Sequence, residues 1–173
     1  MLLGDGQQGR TAAQAGRTPR GAFAYTAQER LVAALGRTTY AFMCLQWEAL
    51  WLYAALTDRT DDEARLMAGT EPSVLALRLQ ARLADPGPES ALVTDLRDWA
   101  DGYAGCADLQ QDVLLAHPGP DSLWSQPMDT PERLTLTDRP EDLLGYEHRF
   151  EAQAVEGATL RRALLAQRAT AAG

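Results

Sequence analysis

Residues 26–56 read TAQERLVAALGRTTYAFMCLQWEALWLYAAL, and the reading of this stretch decides the fold. Thr26 and Glu29 make an S/T-x-x-E capping box, the pattern that satisfies the free N–H groups at a helix start. Behind it Leu31, Leu35, Thr38, Phe42, Leu45, Ala49, Leu52 and Leu56 recur at alternating spacings of four and three. That alternation keeps one apolar stripe on one side of a helix over about eight turns, ~45 Å at 1.5 Å per residue. Trp47, Trp51 and Tyr53 widen the apolar surface, so a helix over about 27–57 is expected to be covered on more than one side.

The same spacing recurs further along. Thr60 and Glu63 open a second capping box, and Glu71-Pro72 starts another segment with Val74, Leu75, Leu79 and Leu83 aligned, predicting a short helical pair over about 61–84. Asp85-Pro-Gly-Pro88 breaks the chain. A third seam runs Leu92, Leu96, Trp99, Tyr103, Cys106, Gln110, Val113, His117, predicting a helix over about 89–116 that ends at Pro118-Gly-Pro120. Residues 118–138 read as an irregular excursion in which Leu134–Thr137 can form a short strand or hairpin arm. A final helix over about 139–168 would carry Leu143, Tyr146, Phe150, Ala154, Gly157, Leu160 and Leu164 on its apolar side. Three long helices and a short pair predict an all-α helical bundle, one domain over 26–168, with 1–25 as a flexible leader and 169–173 as a tail.

Composition agrees with this. The chain has 173 residues, is 46% hydrophobic, and contains no Lys, Ile or Asn. These three have AT-rich codons, so their loss reads as drift in a GC-rich bacterial genome. A Leu/Ala-rich chain without Ile favours helix over strand. No charge-free apolar run of about 18 residues exists, so no membrane span is expected. Residues 1–24 lack the apolar core of a secretory signal. Cys44 and Cys106 lie far apart within helical patterns and read as reduced, packed thiols of a cytoplasmic protein.

The formal net charge is −8, divided between +2 over residues 1–24 and −10 over the remainder. A body that acidic repels phosphate, which argues against nucleic acid as a partner. With two histidines, His117 and His148, a three-His metal site is impossible, and neither is preceded by the Glu-x-x that a di-metal bundle requires. C-x-x-C, the P-loop, Gly-x-Gly-x-x-Gly and Gly-x-Ser-x-Gly are missing, so no metal or cofactor is expected.

Two polar intrusions on the apolar stripes remain. Gln110 and His117 stand seven residues apart on one helical face, with Asp108, Gln111 and Asp112 close by in sequence. They read either as a polar site at a helix end or as a histidine whose cation favours a helix C-terminus. Glu48, set among Trp47, Leu50 and Trp51, is either buried against an arginine or solvated on the flank. His148 reads as a surface residue.

The segment LQQDVLLAHP, residues 109–118, resembles the motif of HEPN-type helical bundles, in which this helix ends Arg-Asn-Asp-x-x-His-Ala-His-Pro. Asp112, Ala116, His117 and Pro118 agree with that ending, and the layout of helices over 26–168 is compatible with it. HEPN domains commonly pair, and many cleave RNA with an Arg that holds phosphate and a His that moves a proton. Here the Arg position holds Gln110, the Asn position Gln111 and the first His position Leu115. The resemblance therefore implies a non-catalytic bundle acting as a homodimer or an interaction subunit. The alternative is an enzyme or small-molecule-binding bundle, with His117, Asp112 and Glu48 as the catalytic candidates. Gln110, Gln111, Trp47, Trp51, Trp99 and Tyr103 would then line its pocket.

Overall fold

The computed structural model describes residues 26–84, 90–114, 116–118, 123–125, 134–137 and 139–172. Helix α1 (Ala27–Leu56) begins at the expected box: the Glu29 N–H donates to Thr26 Oγ1 at 3.2 Å and the Thr26 N–H to Glu29 Oε2 at 2.7 Å. It ends where Asp58 enters the left-handed region at φ 55°, a conformation Asp tolerates better than most side chains. A reciprocal Thr60–Glu63 box starts α2 (Asp61–Leu66). Pro72 opens α3 (Pro72–Ala84), where its missing N–H costs nothing. The Ser90 hydroxyl accepts from the Val93 N–H at the head of α4 (Ala91–Leu114), and Pro140 opens α5 (Pro140–Ala172).

These helices form the expected bundle. α1 lies along α5 as its main seam, α3 packs on α4, and α4 also meets α5. The stripes read from spacing are the faces that are buried: Leu31, Phe42, Leu45, Leu52, Leu96, Trp99, Tyr103, Leu143 and Phe150 all lie inside. Phe42 and Phe150 meet edge-on across the α1–α5 seam, ring centroids 5.2 Å apart. Thr38, the polar member of the α1 stripe, donates its hydroxyl to the carbonyls of Ala34 (3.0 Å) and Leu143 (3.1 Å), and so is buried without an orphaned group. At the other end of the seam Arg168 of α5 donates to the Ala55 and Leu56 carbonyls and pairs with Asp58. A cation there satisfies carbonyls that α1 leaves free at its C-terminus.

Three differences from the sequence reading bear on function. First, α4 stops at Leu114, and His117 lies in a strand, β1 (Ala116–Pro118), instead of in a last helical turn. The proline at 118 disfavours helical backbone at the residue before it. Second, the excursion contains a small antiparallel sheet in the order β1–β2–β3, with β2 at Leu123–Ser125 and β3 at Leu134–Thr137. His117 stands opposite Trp124 in its register. Third, Cys44 is exposed, and only Cys106 is packed. Cys44 falls one residue outside the α1 stripe, on the flank that α5 leaves open. The closing helix also continues past residue 168 to Ala172. The leader expected over 1–25 lies outside the described residues. Among these, no helix is long and apolar enough to cross a membrane.

Candidate functional site

The end of α4 divides its polar residues between inside and outside. Gln110 is 2% exposed and its Oε1 has no hydrogen-bond partner, whereas Gln111 and Asp112 point outward. A cavity of about 180 Å3 lies beside Gln110 and Gln111, bounded by Glu71, Pro72 and Ser73 at the head of α3. One and two turns back along α4, Cys106 and Tyr103 are buried. Burial raises the Tyr103 hydroxyl well above its ordinary pKa, with the neighbouring Cys106 adding to the effect. Burial also raises the Cys106 thiol, partly opposed by the Arg149 guanidinium. Both are held protonated and inert at neutral pH. Trp99 stacks on Tyr103, planes 6° apart, and its indole N–H donates to the Gln153 carbonyl at 2.8 Å. The Gln153 side chain returns a bond to the Trp99 carbonyl at 2.9 Å. Trp99 and Tyr103, both candidates for a binding pocket, are thus parts of the closed core.

Glu48 belongs to a different place. It is buried on α1, and its Oε1 accepts from Arg161 Nε of α5 at 2.5 Å, with Nη2 at 3.5 Å from Oε2. The Arg161 guanidinium also lies 5.4 Å from the centroid of the Trp51 ring. Of the two readings left open for Glu48, the buried carboxylate with an arginine partner is the one realised. Beside this pair, with Glu48 in its lining, lies a concavity of about 550 Å3, walled by Trp47, Trp51, Ala154, Val155 and Ala158, with Cys44 and Arg65 at its margin. A smaller hollow of about 210 Å3 lies on the other side of Trp47, bounded by Met43, Leu50 and Ala68.

The structure therefore groups Glu48, Trp47 and Trp51 in one cavity and places Gln110 and Gln111 at another; Asp112 lines neither. His117 lies in β1, outside the helix that carries Gln110, and His148 is exposed on α5. Sequence reasoning did not single out Arg161, Arg65 or Ala158, and read Ala154 only as part of the apolar side of the closing helix. A signal existed: two alanines four apart, followed by an arginine, put small side chains and then a cation along one helical face. Opposite two tryptophans, small residues leave a hollow. Among the described residues, no group of three His, Cys, Asp or Glu side chains is arranged to hold a metal ion. Compared with protein-family models, with curated proteins and with solved structures, the chain matches none.

Proposed function

We propose that this chain is a non-catalytic, HEPN-like helical bundle that works as an interaction subunit, with a homodimer as its simplest assembly. We place its contact face on α1, α2 and α5 around Trp47. One observation carries this reading: Trp47 lines two hollows, and the exposed apolar side chains of Met43 and Val155 stand in their walls. Tyr40, Met43, Leu66 and Val155 are all large apolar side chains turned to solvent, Leu66 at 88% exposure, and Trp47 stands between two hollows. Apolar surface gathered around a concavity marks a site of association. The exposed end of α4 offers Asp108, Gln111 and Asp112 beside Leu114, a more polar seam for burial.

The lack of catalysis is supported by Gln110. The residue that would hold phosphate is a neutral amide sealed in the core, and Leu115 cannot move a proton. Sedimentation of the full chain tests the assembly. We expect a species of twice the 18.8 kDa chain mass that dissociates when Met43→Asp places a charge on the face. A strict monomer at high concentration, with no partner co-purifying, would remove the reading, and turnover of RNA by the pure protein would remove its non-catalytic part. The cavity at Trp51 favours a second reading, ligand binding.

A further inference from the structure

We infer that the cavity between α1 and α5 is a binding site for a free monocarboxylic acid with an apolar alkyl or aryl body. Its size, about 550 Å3, lies within the ~300–1,000 Å3 of small-molecule sites. Its walls are apolar: two indoles 5.9 Å apart and tilted by 34°, faced by Ala154, Val155 and Ala158.

The charges decide which head group fits. Two charged side chains line the cavity, Glu48 and Arg65, and the first is answered from behind the lining: Arg161 neutralises Glu48 and occupies a face of Trp51. The place where an organic cation would sit, on an aromatic face beside a carboxylate, is therefore already filled by the protein. Arg65 is the second. Its partner is Asp62, one turn back on α2; the two side chains are 65% and 86% exposed, and such a solvated i,i+3 pair is weak. A guanidinium at the margin of an apolar hollow favours one anionic oxygen pair outside and a hydrocarbon inside. A phosphate would ask for a second cation, which the lining lacks, and would meet the repulsion of a chain with net charge −8. The inference does not rest on the contact face proposed above: it concerns what fills the hollow.

The test titrates the full chain with decanoate, decanol and decyltrimethylammonium, each below its micellar concentration. Tryptophan emission and melting temperature are the readouts, and sedimentation is run alongside. Decanoate should bind and raise the melting temperature. Decanol should bind about fivefold more weakly, as expected for one solvent-exposed charge pair, and the cation weakest. Arg65→Gln should bring decanoate down to the affinity of decanol and leave decanol unchanged. Ala158→Leu, which fills the hollow, should abolish binding of both. Equal affinity for all three probes overturns the carboxylate assignment, as does preference for the cation. Binding of none overturns the site while leaving the contact face standing. If Ala158→Leu leaves decanoate binding intact but abolishes self-association, the hollow seats a second copy of the chain and the inference fails.

Discussion

The molecule holds two aromatic pairs with the same four-residue spacing, and they end in opposite environments. Trp99 and Tyr103 on α4 are sealed, stacked and tied to α5 through the reciprocal bonds of Gln153. Trp47 and Trp51 on α1 are half-buried, tilted apart and left beside a hollow. The same helix, α5, faces both. Toward Trp99 it brings Gly157, where an added Cβ would stand 2.7 Å from Trp99 Cζ2. Toward Trp47 and Trp51 it brings Ala154 and Ala158, which leave a hollow beside the indoles. Spacing places aromatics on a face; the size of what comes against them determines whether that face becomes core or site.

The largest effect should separate the two pairs. Trp99→Ala is expected to cost about 3–5 kcal/mol in urea unfolding, because it empties packed volume and removes the indole bond to the Gln153 carbonyl, while Trp51→Ala should cost only about 1 kcal/mol. Equal losses would mean that both pairs are core and that the hollow is a packing defect.

Next in size are changes at the seam between α1, α4 and α5. Gly157→Ala is expected to destabilise by about 1–3 kcal/mol, since the contact with Trp99 outweighs the gain in helix propensity. Arg161→Ala should cost a similar ~1–3 kcal/mol by leaving Glu48 buried and unpaired, reduced from a fully buried pair by the partial exposure of Arg161. Replacing both partners, Glu48→Met with Arg161→Met, should recover most of that loss. If the double variant is as unstable as the single one, the pair contributes by something other than mutual neutralisation.

A glycine away from these contacts sharpens the point. Gly36 lies exposed within α1, and an added Cβ there meets nothing within 4 Å. Gly36→Ala should therefore stabilise by up to about 1 kcal/mol, opposite in sign to Gly157→Ala. Two glycine-to-alanine changes moving thermal unfolding in the same direction would contradict the packing described at Trp99.

The smallest effect is at the helix caps. Hydrogen bonds from the backbone N–H groups of Thr26 and Thr60, reinforced by their hydroxyls, hold Glu29 and Glu63 below the ordinary glutamate pKa. A carboxyl whose pKa is lower in the folded state contributes stability above its unfolded pKa and loses it as pH falls through the folded value. Replacing both with Gln should flatten the acid side of the stability profile slightly. An unchanged profile would show that the caps carry no proton linkage.

Much of the fold was legible because helical periodicity is a local property. The stripes of α1, α4 and α5 could be read residue by residue, down to Thr38 and Gln110 as polar members that are in fact buried. The irregular excursion was less legible: strands of three residues are too short to show a period, and only Leu134–Thr137 carried an alternating pattern. At the candidate site, Glu48 was visible as an anomaly, but its partner was not. Arg161 lies 113 positions away, and the spacing after Ala154 and Ala158 suits its neighbour Arg162 equally well.

The sequence by itself determined where the helices run, how they are capped and which face of each turns inward. Those features follow from spacings of three and four, from Thr–Glu boxes and from prolines, all acting within a few residues. Only the tertiary structure decided that Glu48 is neutralised by Arg161, that Trp99 is sealed while Trp51 is open, and that Gln110 and Glu48 serve different hollows. Each of these depends on which side chain a second helix brings to the contact, and that is set by how the helices pack.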